Sequence, residues 1–151
     1  MNERIEELIS RDGVYVCTTV GVSMKPMLRD RRDTVVITPT SERLKKYDVA
    51  LYRRGENYLL HRVVKVLPES YIICGDNCVT LERDITDAEI IGRVSEVIRG
   101  EKKLRLDGFW YGVYCRYIVA TFYPRKLWRK AKGYLCSVAK GLLGVRKKVD
   151  R

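Results

Sequence analysis

The chain has one histidine, two phenylalanines, three methionines and four prolines in 151 residues. A single histidine, with cysteines at irregular spacings, leaves no Cys/His set of the kind that holds zinc. No other metal motif and no nucleotide motif is present, so neither a metal nor a cofactor is expected. The five cysteines (Cys17, Cys74, Cys78, Cys115 and Cys136) are odd in number, which excludes a closed disulfide framework and reads as reduced thiols on a cytoplasmic protein. No apolar run reaches the roughly 20 residues that a membrane-spanning helix needs. The opening Met1-Asn2-Glu3-Arg4-Ile5-Glu6-Glu7-Leu8 lacks the apolar stretch of an export signal. There is no helix-turn-helix pattern, internal repeat or low-complexity segment, which disfavours specific nucleic-acid recognition and repeat folds.

One scarcity is local. Residues 1–100 carry 16 Lys/Arg and 16 Asp/Glu, whereas residues 101–151 carry 14 Lys/Arg against Glu101, Asp107 and Asp150. The whole net charge of +11 therefore lies in the last third, and such asymmetry points to an acidic partner. With 46% hydrophobic and 32% charged residues, the chain is a folded domain with an appendage rather than a disordered polymer.

The chain divides into a short helix within 1–13, a β core over 14–100 and a basic, aromatic extension over 101–151. Asn2 is placed to cap the first helix, and Gly13 to end it. Strands are expected at Val14–Val20, Thr34–Ile37, Asp48–Tyr52, Tyr58–Val66, Tyr71–Cys74 and Ile90–Ile98, each β-branched or aromatic and bounded by turn residues. Residues 79–89 read as an irregular loop, and Leu104–Leu106 as a further short strand. After Pro124 a basic helix is expected, because Leu127, Ala131, Leu135, Val138 and Leu142 recur at helical spacing with Trp128 beside them.

Within the core, Gly21-Val22-Ser23-Met24-Lys25-Pro26-Met27-Leu28 sets a serine among small and apolar residues, with Pro26 stiffening the turn. His61 follows within Leu59-Leu60-His61-Arg62-Val63, and then comes Gly75-Asp76-Asn77. Serine, histidine and carboxylate are the parts of a nucleophile–base–orienter site. A histidine with an ordinary pKa of about 6.5 is mostly neutral at pH 7 and able to accept the serine proton.

The serine stretch resembles the G-x-S-M-x-P-x-L box of the signal peptidase I superfamily. His61-Arg62-Val63 resembles the second box of the endoplasmic-reticulum and archaeal type, which has histidine where the bacterial enzymes and LexA-like autoproteases have lysine. Gly75-Asp76-Asn77 and Ile91-Gly92-Arg93-Val94 resemble the third box and the closing strand. The resemblance implies a mainly β, coiled-barrel catalytic core and a serine endopeptidase that cleaves leader or precursor peptides, including preproteins, after small residues. Ser23 would be the nucleophile and His61 the base. The orienting carboxylate would be Asp84 first and Asp76 second, with Glu82 third. The Ser23 N–H and a second donor in the turn formed by Gly21 and Val22 would meet the oxyanion. Lys45 and Lys46 lie in a charged connection and read as a solvated pair rather than as a lysine base.

For the extension, three readings stand. It completes the core and ends in a solvated helix; it docks acidic peptide or nucleic acid; or it lies peripherally on an anionic membrane, on the cytoplasmic face, through Trp128, Arg125, Lys126, Arg129 and Lys130. A catalytically silent module binding membrane or peptide through this tail is the alternative to the peptidase.

Overall fold

The structure is a computed structural model and describes residues 4–149, with side chains described to residue 139. The order of elements is α1 (Ile5–Asp12), β1 (Tyr15–Thr18), β2 (Asp33–Thr38), β3 (Val49–Arg54), β4 (Asn57–Val66), β5 (Tyr71–Cys74), β6 (Glu82–Ile85), β7 (Ile90–Arg99), β8 (Lys102–Leu104), α2 (Phe109–Ala120) and α3 (Phe122–Val149). The protein is mainly β. Among the described residues, eight strands form one antiparallel sheet in the order β1-β2-β7-β3-β4-β5-β6, with β8 paired to β7.

The central β3 shows why this sequence makes a sheet buried on both sides. Val49 and Leu51 enter one apolar cluster, while Ala50 and Tyr52 enter another, as the two-residue period of a strand requires. The first cluster also takes Ile9 of α1 and Met24, Met27 and Leu28 of the serine turn. Each of those four side chains is buried, and removing one of this size from water contributes about 1.5–3 kcal/mol. The serine turn is thus fastened by its apolar residues, leaving Ser23 half-buried at the rim. A buried carboxylate closes the far end of the loop. Asp33 is bound by the side chains of Arg29 (3.0 Å) and Arg99 (2.7 Å), and Arg99 also donates to the Met27 carbonyl (2.9 Å).

α1 ends at Gly13, as expected, with the Gly13 N–H on the Ile9 carbonyl. The expected cap, Asn2, lies outside the described residues. One expectation changes: residues 82–85, read as part of a loop, form β6 on the edge of the sheet. The chain forms two compact units, the first ending at Val119 and the second starting at Ala120. α2 joins the first because Tyr111, Tyr114, Cys115 and Ile118 form an inward stripe at helical spacing, with Cys115 and Ile118 buried. In the second unit, α3 carries Pro124 in its first turn, where no helical N–H is lost. Among the described residues, no helix is long and apolar enough to cross a membrane.

Candidate active site

Strand register builds the site. Ala50 stands opposite His61, and Tyr52 two residues on shares its face. On the next strands Val63 pairs with Ile73, and Ile73 with Glu82. His61, Tyr52 and Glu82 are therefore brought to one face by three different strands. They meet closely. The Tyr52 hydroxyl donates to Glu82 Oε1 at 2.7 Å, and His61 Nδ1 lies 2.9 Å from the Tyr52 oxygen and 3.0 Å from Glu82 Oε1. Because the tyrosine proton is already given to the carboxylate, the consistent assignment puts a proton on Nδ1, shared between the two oxygens, and leaves Nε2 as an acceptor. Arg54 Nη1 holds the other oxygen, Glu82 Oε2, at 3.0 Å.

The surroundings set the charge of the ring. His61 is 8% exposed, and burial pushes its pKa below the usual histidine value of 6.5 despite the opposing pull of Glu82 and Asp76. The imidazole is accordingly neutral at pH 7. Burial, and then the bond to Glu82, pushes the Tyr52 hydroxyl well above its usual range, so it stays a donor.

The other edge of the ring faces the serine turn across Gly75. Since Arg62 pairs with Cys74, the chain continues past β5 with Gly75 beside His61. A Cβ on Gly75 would lie 2.7 Å from the Ser23 carbonyl oxygen and 3.0 Å from His61 Cδ2. Only a glycine lets the three segments close to this distance. The loop then clamps the turn directly: the Asn77 N–H donates to the Ser23 carbonyl at 2.7 Å, and Asn77 Nδ2 to the Val22 carbonyl at 3.1 Å. Ser23 and His61 both line a cleft of about 360 Å³, whose walls include Tyr15, Cys17 and Val20 on one side and Tyr58 and Leu60 on the other.

No protein-family model and no curated protein matches this chain.

The structure brings Ser23 and His61 to one cleft, with Glu82 behind the histidine, and separates the two aspartates expected as orienters. Asp84 is exposed, with φ of 62°. Between the pairs Ile73–Glu82 and Tyr71–Ile85, β6 has one residue more than β5, and this bulge turns Asp84 outward while Ile85 enters the core. Asp76 is buried but engaged elsewhere. Its two oxygens receive Arg62 Nε and Nη2, both at 2.7 Å, and Oδ2 also accepts the Tyr114 hydroxyl at 2.8 Å. Arg62 is 1% exposed and further donates to the Tyr47 carbonyl, the Tyr111 hydroxyl, Cys115 Sγ and Met27 Sδ. Burial alone would weaken the charge on Arg62, but the Asp76 bonds more than offset it and keep the guanidinium protonated. Asp76 thus acts on the site by fixing the 75–77 loop.

The turn donors are also revised. The Gly21 N–H, with φ of 106°, is taken by Asp30 Oδ1 at 2.7 Å and is not free for an oxyanion. The Val22 carbonyl accepts the Lys25 N–H, so Val22 shapes the turn. Among the described residues, no hydrogen bond occupies the Ser23 N–H. Lys45 and Lys46 are exposed, as expected of a solvated pair. Trp128, Lys126, Arg129 and Lys130 are exposed on α3, and Arg125 is half-exposed. Among the described residues, no group of three or more His, Cys, Asp or Glu is placed to hold a metal ion.

Sequence reading missed Tyr52 and ranked Glu82 below the aspartates. The available signal was the hairpin Arg53–Asn57, which sets Tyr52 diagonal to His61; a polar tip on an inward position of a central strand calls for a buried partner.

Proposed function

We propose that this chain is a serine endopeptidase of the signal peptidase-like type, with Ser23 as nucleophile, His61 as general base, and Glu82 with Tyr52 as the groups that hold the histidine. The observation that carries the reading is the orientation of His61: buried, neutral, fixed through Nδ1 by a carboxylate, with its opposite edge toward the serine turn. In the proposed reaction Ser23 Oγ attacks the scissile carbonyl carbon and His61 Nε2 takes the hydroxyl proton. The Ser23 N–H faces the oxygen on which charge develops. Collapse breaks the C–N bond, and the proton passes from Nε2 to the leaving amine. Water then attacks the acyl-serine and gives its proton to Nε2; the ester C–O bond breaks, Nε2 returns that proton to Ser23 Oγ, and the new carboxylic acid leaves and ionises in solvent.

The cleft favours an extended peptide. β1 is an edge strand, and β4 has a β5 partner only from Arg62 onward, so the backbone on that side of Asn57–His61 is also unpaired with β5. A peptide entering between them adds a strand, with main-chain bonds supplying affinity and alternate side chains supplying selection. Leader or precursor peptides cleaved after small residues, and a coiled-barrel curvature of the sheet, belong to the same proposal.

The test is digestion of a peptide library read by mass spectrometry, with wild type beside Ser23→Ala, His61→Ala and Glu82→Gln, and labelling by a serine-reactive fluorophosphonate. Cleavage and labelling that require Ser23 and His61 are expected. Identical products from wild type and Ser23→Ala, or peptide binding without cleavage in both, would remove the catalytic assignment in favour of a silent binding module.

A further inference from the structure

The second unit presents a surface that the peptidase reading does not use. From Phe122 to Ala139 every residue except Phe122 and Arg125 is exposed, and these residues include Tyr123, Leu127, Trp128, Tyr134, Leu135 and Val138. At about 100° per residue these six, with Ala131, fill one continuous arc of about 140°. Arg125, Lys126, Arg129, Lys130 and Lys132 all fall outside that arc, and no acidic residue stands between Asp107 and Asp150. The arc ends on aromatic residues, Tyr123 at one border and Trp128 at the other, with Lys130 next beyond Tyr123 and Lys132, after Ala139, beyond Trp128.

We infer that α3 lies in the surface of an anionic bilayer, parallel to it, with the Leu127–Leu135 arc in the acyl boundary and the cations at the headgroups. Segregation chooses the partner. A strand of nucleic acid stacks its bases on aromatic groups interleaved with the cations that track its backbone, whereas here the arc itself carries no cation and the cations begin only at its borders. A second helix of the same kind needs a narrow apolar seam, and this arc is wider than a two-stranded coiled coil uses. A bilayer supplies an apolar phase directly below a layer of negative charge, with the interfacial depth that Trp and Tyr occupy and that Lys and Arg reach by extending their stems. The recurrence of Arg125, Arg129 and Lys132 along the polar face is also what keeps the helix from crossing. α2, taken by itself, exposes an aromatic stripe of Phe109, Trp110, Val113 and Tyr117 opposite its buried side.

The inference does not depend on Ser23 chemistry, so Ser23→Ala is expected to bind as wild type does. The full chain is to be co-sedimented with vesicles of phosphatidylcholine alone and with vesicles in which roughly one lipid in three is phosphatidylglycerol. Partition into the anionic vesicles at least about tenfold above the neutral ones is expected, weakening as salt is raised. In Trp110→Phe, where Trp128 is the remaining indole, emission should shift to the blue on the anionic vesicles alone. Leu127→Glu with Leu135→Glu should abolish both effects, as should Arg129→Glu with Lys130→Glu. Equal, weak partition to both vesicles overturns the inference even if the variants fail to fold. So does retained binding by the Leu127→Glu, Leu135→Glu protein, or capture of an oligonucleotide or acidic peptide with no response to vesicles.

Discussion

At His61 one proton faces two oxygens, and that arrangement makes the pH behaviour of the proposed base specific. Burial lowers its pKa from 6.5 while Glu82 pulls upward. The acid limb of kcat/KM is therefore expected below pH 6.5, with activity rising as the ring loses its proton. Glu82→Gln removes the upward pull, so the limb should move further toward acid while kcat/KM falls on the order of 10²-fold. Tyr52→Phe should lower the rate less, because Glu82 still accepts from Nδ1. Asp84→Asn should leave both rate and pH limb unchanged, and a pH–rate profile of the three variants checks the set. Ser23 and His61 were legible as candidates because the residues that flank them in 21–28 and 59–63 resemble known motif boxes. Glu82 was not, since Glu82-Arg83-Asp84 offers three charged residues in a row and only the extra residue in β6 decides which carboxylate turns inward.

Among the elements, the loop after β5 is the joint between histidine and serine. Gly75→Ala places a methyl group 2.7 Å from the Ser23 carbonyl and 3.0 Å from the ring, with backbone on one side. It should cost about 1–3 kcal/mol in a urea melt and a larger share of the activity, because the turn and the ring are pushed apart together. Asp76→Asn leaves Arg62 buried without its bidentate partner, and a loss of about 3–5 kcal/mol is expected by the same melt. Arg62→Met strands the buried Asp76 carboxylate in the same way and should cost a similar amount. The strands were readable from β-branched runs and turn residues, and β6 was not, because it has one apolar residue, Ile85, and forms only as an edge pairing to β5. α2 also escaped a clear reading. Phe109–Ala120 is apolar and aromatic on both faces, so neither helical nor strand periodicity stands out, and its inward stripe is apparent only beside Arg62 and Asp76.

For the whole molecule, charge has two separate roles: it closes the first unit from inside and covers one face of α3 from outside. Asp33 is the interior case. Burial alone would raise its pKa, but hydrogen bonds from Arg99 and from the backbone and side chain of Arg29 hold it at about 2 against an ordinary 3.8. Its folded pKa lies below its unfolded one, so its contribution of about 2 kcal/mol is complete above pH 3.8 and is lost as the pH falls toward 2. The sign for His61 is the same: its contribution is present above pH 6.5 and declines below it. Urea midpoints should therefore fall first on leaving neutral pH and again below about pH 4, and Asp33→Asn should shrink the second drop, to which Glu6, also held below its ordinary value, contributes. The division of charge between the halves was plain in the sequence, whereas nothing in the run Arg29-Asp30-Arg31-Arg32-Asp33 marks Asp33 as the carboxylate that is buried. One consequence concerns observation of the molecule in solution. Arg62 is 1% exposed and its donors reach groups from residues 27, 47, 76, 111 and 115. Its Nε proton, bonded to Asp76 and shut away from water, should exchange slowly enough to give a nuclear magnetic resonance signal apart from those of the surface arginines. That one line would report, without any label, whether serine turn, histidine strand, loop and second helix are still assembled.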